Sequence, residues 1–356
     1  MRCSLFFVVV LTLTITIAIA HPKDSWSLKQ FKSFVAFGDS YTDEDRILYF
    51  ATHNGSAPPV GWVEPMSLVT STGGLIWSRY VSIYTSANLY NYAVSGAVCS
   101  NSITPRTWNT INAPFPDIAG YELPSFLADA GYQAPGTHTP FLILPPHETV
   151  YAIWIGTNDL GNNAFLTDSQ VAGKTIVDYM DCVYATLDGV YKNGGRYFVI
   201  MNAAPLQLAP MYATPANGGL AKCKYWPDKP SNITEISCRM WESVVTVNDI
   251  YKYRTPFEVR VERRYPGAHF AIFDVNGLMT DIWDHPTAYL NGTAPANVTG
   301  YINHCNLTGA NCTEEPSPDS FMWYDELHPS EQTDRVIAKS FVDVVRGESK
   351  WATYWC

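Results

Sequence analysis

Apolar residues fall along this chain in two alternating rhythms. Five short runs, 33–37, 89–94, 150–155, 197–202 and 269–275, are apolar nearly throughout and rich in β-branched and aromatic residues. That pattern predicts strands buried on both faces. Between them, apolar positions recur at steps of three and four. Ile176, Met180, Val183, Leu187 and Val190 form one helical stripe, with Thr167-Asp168-Ser169-Gln170 as its expected capping box and Gly194-Gly195 as its stop. Met240, Val244, Val247 and Tyr251 form a second stripe, expected to break at Thr255-Pro256 because a residue before proline avoids helical geometry. A last helix is expected from Pro329-Ser330, carrying Val336, Ile337, Phe341 and Val344. Strands alternating with helices imply parallel pairing through crossover connections. The expected fold is therefore a three-layer α/β/α sandwich around a five-stranded, mainly parallel sheet.

The first twenty residues follow neither rhythm. Arg2, an apolar run from Leu5 to Ala20 and the small-x-small ending Ala18-Ile19-Ala20 form a secretory signal peptide, with cleavage expected after Ala20. The run is too short and too rich in threonine for a membrane anchor. Residues 21–356 show no Gly/Ser or charge-run linker, no repeat and no later apolar span. One domain is expected, with its core at about 33–346 and a C-terminal tail at 347–356. Two proline- and sequon-bearing stretches, 203–234 and 284–322, are too long for plain connectors and are expected to wall a site.

Charge and cysteines narrow the partners and the compartment. The formal net charge is −10, one unit more negative once Arg2 is removed, which argues against nucleic acid and anionic membranes. Asn54, Asn232, Asn291, Asn297, Asn306 and Asn311 stand in glycosylation sequons, as suits an extracellular, secreted glycoprotein. In that oxidising setting Cys223–Cys238 and Cys305–Cys312 are the economical short-loop pairings, although spacing leaves connectivity open. An odd thiol remains among the seven cysteines beyond the leader. No Cys-x-x-Cys or His-x-x-x-His spacing suggests a metal site, and no cofactor is expected.

Candidate chemistry gathers at the ends of the predicted elements. Ser40 follows the first strand in Gly38-Asp39-Ser40, Gly96 follows the second, Asn158 follows the third in Gly156-Thr157-Asn158-Asp159, and Asp325-Glu326-Leu327-His328 precedes the last helix. In a doubly wound sheet such positions converge on one rim. A serine hydroxyl needs an adjacent base to become nucleophilic; His328 can supply it, with Asp325 fixing the imidazole tautomer. The Ser40 and Gly96 amides and the Asn158 side chain are suited to an oxyanion hole, each donor contributing about 3 to 4 kcal/mol to a transition state. Asp39, Asp43 and Asp159 are expected to order loops.

These four blocks, in this order, resemble those of the GDSL or SGNH hydrolases over nearly the whole chain beyond the leader. The longer segments Phe37-Gly38-Asp39-Ser40-Tyr41-Thr42-Asp43, Ile153-Trp154-Ile155-Gly156-Thr157-Asn158-Asp159-Leu160 and Trp323-Tyr324-Asp325-Glu326-Leu327-His328-Pro329 are similar to fungal secreted acetylesterases of carbohydrate esterase family 16. Tyr41 departs from the leucine many relatives carry there. The resemblance implies a flavodoxin-like fold, Ser40 as nucleophile, Asp325 and His328 as its partners, and Gly96 and Asn158 in the oxyanion hole. With the loop aromatics it also implies action on acetylated saccharides, such as acetylated xylo-oligosaccharides; a monomer is expected. A lipase or short-chain carboxylesterase on the same triad is the competing expectation. A non-catalytic carbohydrate-binding glycoprotein would usually have lost a triad member, and this chain keeps all three. Among the 11 tryptophans, Trp77, Trp154 and Trp241 fit strand or helix patterns as core residues. Trp226, Trp283 and Trp323, in or beside the long loops, are the candidate sugar-stacking positions.

Overall fold

The computed structural model describes residue 26, residues 28–109 and residues 111–356; the expected leader lies outside them. The five apolar runs become β1 (Ser33–Gly38), β2 (Asn88–Asn91), β3 (Thr149–Trp154), β4 (Tyr197–Met201) and β5 (His269–Phe273). All five are parallel, in the order β2-β1-β3-β4-β5. A sixth strand corrects the expected count. Residues 352–355, expected in a tail, form β6 (Ala352–Trp355), antiparallel to β5 at the sheet edge. Its alternation is short, and its pairing partner lies some eighty residues back, so local pattern does not announce it.

Seven α-helices are found among the described residues: α1 (Arg46–Thr52), α2 (Trp77–Thr85), α3 (Leu123–Ala130), α4 (Ile176–Lys192), α5 (Ile233–Pro256), α6 (Val275–Asp284) and α7 (Glu331–Val345). α2 and α6 pack beside α7 on one sheet face, while α3, α4 and α5 line up on the other. Every residue of β1, β3 and β4 is buried, as the apolar runs require in a three-layer arrangement.

Local signals place the helix ends, with two corrections. The capping box belongs to Thr175 and Asp178, whose carboxylate accepts from the Thr175 amide at 2.8 Å. Thr167 instead ends a short 3-10 turn; the box that wins directly abuts the first apolar position, Ile176. At Thr255-Pro256 the chain does not break. α5 runs on into a π-helical turn, Phe257–Val261, while buried Thr255 exchanges a 2.7 Å hydrogen bond with the Tyr184 hydroxyl. The π-helical turn follows directly on Pro256, whose ring supplies no backbone donor.

The long stretch after α6 is less irregular than expected. Asn297–Tyr301 pairs with Phe321–Trp323, and Asn303–His304 pairs with Thr313–Glu314, where Cys305–Cys312 closes the hairpin. The second disulfide is Cys99–Cys182, not Cys223–Cys238. Both of these thiols are free: Cys223 is buried in a turn bridged to Trp226, whereas Cys238 faces outward from α5. Five of the six sequon asparagines are exposed; Asn297 is half-buried and its side chain accepts from the Gly300 amide at 2.7 Å.

Trp241 lies half-exposed on α5, against its core expectation. Trp226 and Trp323 are buried, correcting their placement as sugar platforms: Trp226 lies against Tyr212, and the Trp323 indole donates to the Val298 carbonyl at 3.0 Å. Both loops fold inward at these residues, since a large indole is stabilised by burial when its N–H finds an acceptor. Trp283 is half-buried against the main core.

Candidate active site

The strand order reverses beside β1, where β2 lies on one flank and β3 on the other. Ligand sites in such sheets lie at the carboxyl rim of this switch point, and both Ser40 and Asn158 follow those strands there. β1 ends at Gly38, where a Cβ would sit 2.4 Å from the Trp154 carbonyl oxygen, so the turn admits only glycine. The Gly38 amide donates to buried Glu122 at 3.0 Å. Asp39 then builds the turn around Ser40: its carboxylate accepts from the Tyr41 amide and its carbonyl from the Thr42 and Asp43 amides.

Buried carboxylates latch the neighbouring loops to this turn. Asp43 accepts from the Ser95 amide at 2.8 Å and from the Arg46 amide at 2.9 Å. Asp159 accepts from the Cys99 amide at 3.0 Å and the Thr104 hydroxyl at 3.1 Å. Beyond the β2 ladder, Val94 still donates to the Gly38 carbonyl, which brings Gly96 level with Ser40. Gly96 has φ of +90°, and Arg106 holds its carbonyl at 2.5 Å. Among the described residues, no protein group accepts from the Ser40 or Gly96 amide. Asn158 spends one amide hydrogen on the Ala97 carbonyl at 2.9 Å, which leaves the other.

Across the rim, residues 324–328 close a tight turn ahead of α7, with the Tyr324 amide donating to the His328 carbonyl at 2.8 Å. His328 Nε2 lies 2.8 Å from Ser40 Oγ, and His328 Nδ1 lies 2.8 Å from Asp325 Oδ1. Asp325 Oδ1 also accepts the Leu327 and His328 amides at 3.0 and 2.9 Å. Burial alone would raise the Asp325 pKa, but His328, Lys224 and Tyr225 outweigh it and hold the carboxyl well below the usual carboxylate range. Asp39 and Asp159 go the other way, pushed by burial up to about 6 and about 7. Asp39 Oδ2 has no hydrogen-bond partner among the described residues, so nothing there offsets the burial that favours the protonated form.

The structure thus joins Ser40, His328 and Asp325 directly and sets Gly96 and Asn158 on the adjoining loops; among the described residues no hydrogen bond or ring contact joins Trp226, Trp283 or Trp323 to the triad. Sequence reasoning missed Lys224, Tyr225, Arg106 and the supporting role of Tyr41. The Tyr41 hydroxyl donates to the Leu327 carbonyl at 2.6 Å, tying the Ser40 turn to the His328 turn. A groove of about 370 Å³ borders the relay, with Asp45, Leu48 and Val69 on one side and Lys224, Tyr225 and Tyr324 on the other. Of these, only the aromatic richness of the loops was a usable signal, and it pointed to tryptophans rather than tyrosines.

A serine, an imidazole and a carboxylate in one hydrogen-bonded line at the rim of a parallel α/β sheet are the mark of a serine hydrolase. The description of the family whose model matches residues 34–341 is GDSL-like lipase/acylhydrolase, and the chain belongs to that family. It is 41% identical to an acetylesterase of Hypocrea jecorina, over 91% of this chain and 92% of that protein. It is 24% identical to an acetylesterase of Thermothelomyces thermophilus, over 89% of each. Among solved structures it aligns with an acetylxylan esterase from Geobacillus stearothermophilus at 12% identity and a TM-score of 0.39, covering 89% of this chain and 94% of that one. The chain is a carboxylic ester hydrolase.

Proposed function

We propose that this protein is an acetylesterase acting on acetylated carbohydrates, with Ser40 as nucleophile. Ser40 Oγ attacks the acetyl carbonyl carbon while its proton passes to His328 Nε2. The tetrahedral oxyanion is met by the Ser40 and Gly96 amides and the free hydrogen of Asn158. Its collapse breaks the ester bond as His328 returns the proton to the departing sugar hydroxyl, leaving acetyl-Ser40. Water, deprotonated by His328, then attacks the acetyl carbonyl; collapse of the second intermediate breaks the Ser40 Oγ–acyl bond, His328 returns the proton to Oγ, and acetate leaves. Asp325 stabilises the imidazolium in both halves. The observation that carries this reading is the unbroken Ser40–His328–Asp325 line, with both links at 2.8 Å.

The acetyl preference is supported by the two acetylesterase relatives. The saccharide preference, for acetylated xylo-oligosaccharides, is supported by the polar lining of the groove, where Tyr225, Tyr324 and Asn303 stand beside one another. The odd acceptor-rich composition of its walls suits neutral sugars better than anionic ones. Secretion as a glycosylated monomer accords with exposed sequons and two disulfides. A second reading, a lipase or general carboxylesterase, is favoured by one observation: Leu48 and Val69, 50% and 86% exposed, stand at the groove mouth. Acetate release from acetylated xylo-oligosaccharides, measured beside hydrolysis of long-chain acyl esters, separates them. Faster turnover of the sugar substrate, abolished in Ser40→Ala, is expected; a preference for long acyl chains would establish the second reading instead.

A further inference from the structure

Asp325 divides its two oxygens between two parts of the chain. Oδ1 is filled by its own turn, through His328 Nδ1 and the Leu327 and His328 amides. Oδ2 is filled from a hundred residues away: the Tyr225 hydroxyl donates to it at 2.7 Å and Lys224 Nζ lies 3.0 Å from it. Both come from the long stretch between β4 and α5. The Tyr225 ring meets the His328 ring edge-on at 5.5 Å and carries Lys224 Nζ over its face at 4.7 Å. Lys224 also faces Glu326 Oε2 at 3.7 Å, so its charge is shared between two carboxylates rather than spent on Asp325 alone.

We infer that Lys224 and Tyr225 are positioning residues for the catalytic carboxylate, a role that rests on the triad reading above. A carboxylate held on one oxygen only can swing about its Cβ–Cγ bond, and the imidazole follows it. Charge-assisted bonds to the second oxygen remove that freedom and satisfy an acceptor that is almost wholly buried. Tyr225 is 38% exposed and lines the groove with Lys224, so the surface a substrate meets is the outer side of the clamp that steadies Asp325. The loop thereby supplies part of the catalytic alignment as well as a wall of the binding groove. A role confined to sugar binding would appear in KM on saccharides and leave a small ester untouched; an alignment role must appear in kcat on any ester.

The test uses Tyr225→Phe, Lys224→Met and Lys224→Arg in the full-length protein, with p-nitrophenyl acetate and an acetylated xylo-oligosaccharide as substrates. Expected for Tyr225→Phe and Lys224→Met is a fall in kcat of about tenfold on both esters, with KM for p-nitrophenyl acetate within about twofold and Tm lowered by no more than a few degrees, since each variant keeps the other Oδ2 partner and all three bonds to Oδ1. Lys224→Arg is expected to recover kcat to within about threefold, since its guanidinium can bond the same oxygen. Loss of the clamp's cation is also expected to move the acid limb of the kcat/KM profile in Lys224→Met but not in Lys224→Arg. Unchanged kcat on p-nitrophenyl acetate in both Tyr225→Phe and Lys224→Met would overturn the inference, as would a kcat loss that tracks a fall in Tm across all three variants. Ser40→Ala, run in parallel, separates the two levels: residual wild-type activity there would defeat the triad reading itself, whereas failure confined to the loop variants defeats only the clamp.

Discussion

The two sides of the catalytic rim are built differently. On the strand side, Ser40, Gly96 and Asn158 sit at strand ends, and buried Asp39, Asp43 and Asp159 bind backbone amides a few residues from each. Cys99–Cys182 then ties this side to α4. On the loop side, Asp325 and His328 sit in a turn held by short two-stranded ribbons, by Tyr41 and by Lys224 and Tyr225 reaching across from another loop. The strand side is fixed by buried carboxylates that clasp backbone amides beside the sheet, the loop side by a hydroxyl and an ammonium group that reach the catalytic carboxylate from another loop. Only the second arrangement can be retuned by exchanging single surface-accessible residues without disturbing the sheet, which makes it the natural seat of substrate preference.

The largest expected effect tests whether the two sides act as one device. Ser40→Ala and His328→Ala should each lower kcat by about 10⁵- to 10⁶-fold, and the double variant should be no worse than either. Additive losses would mean that the sides work separately. Next comes the disulfide on each side. The chain-entropy relation gives about 4 to 5 kcal/mol for a bond spanning 83 residues and about 2 to 3 kcal/mol for one spanning seven. Replacing Cys99 and Cys182 with serine should therefore lower Tm more than replacing Cys305 and Cys312; equal losses in thermal melts would erase the contrast. Asn158→Ala follows, expected to cost about 10²- to 10³-fold in kcat with Tm little changed, because the side chain donates to only one protein acceptor.

The smallest effect is on the dependence of stability on pH, where the two sides should have opposite signs. Asp39 and Asp159 have folded pKa values raised by burial to about 6 and about 7, so their contribution is present below the unfolded value near 4 and is lost as pH rises through 6 to 7. Asp325 is depressed, so its contribution is present above the unfolded value and is lost as pH falls below about 4. Melts should show Tm rising by a few degrees from pH 8 to pH 5, then falling at stronger acid. Asp159→Asn should flatten the alkaline decline while leaving the acid one. A Tm that climbs from pH 5 to pH 8 would contradict the protonation assigned to the strand side.

The same contrast governs what could be anticipated from the chain alone. The strand ends were legible because Gly38, Ser40, Gly96 and Asn158 each follow an apolar run whose burial dictates where the chain must emerge. Asp325 and His328 were legible because they stand three positions apart just before a helix. Lys224 and Tyr225 were not, because nothing local distinguishes a lysine and a tyrosine in a loop until that loop has folded. Cys99–Cys182 escaped for a related reason: short-loop economy favours Cys223–Cys238, but one of these thiols is buried, the other faces outward from α5, and both are free. The aromatic count pointed toward sugar-stacking tryptophans, yet Trp226 and Trp323 go into the interior, and the groove takes Tyr225 and Tyr324. Tyrosine tolerates a position half in water, where a hydroxyl can serve both sides.

Trp26, the first described residue, meets the last strand at the edge of the sheet opposite the catalytic rim. β6 runs against the parallel strands, so Trp355 lies beside Phe270, near the entry of β5. There the Trp26 indole donates to the Val345 carbonyl at 2.6 Å and packs on Tyr197 and Tyr354. A tether or a second module joined after Cys356 would leave from beneath the sheet, and the enzyme could be grafted onto a solid support by that end with its groove still open to dissolved ester.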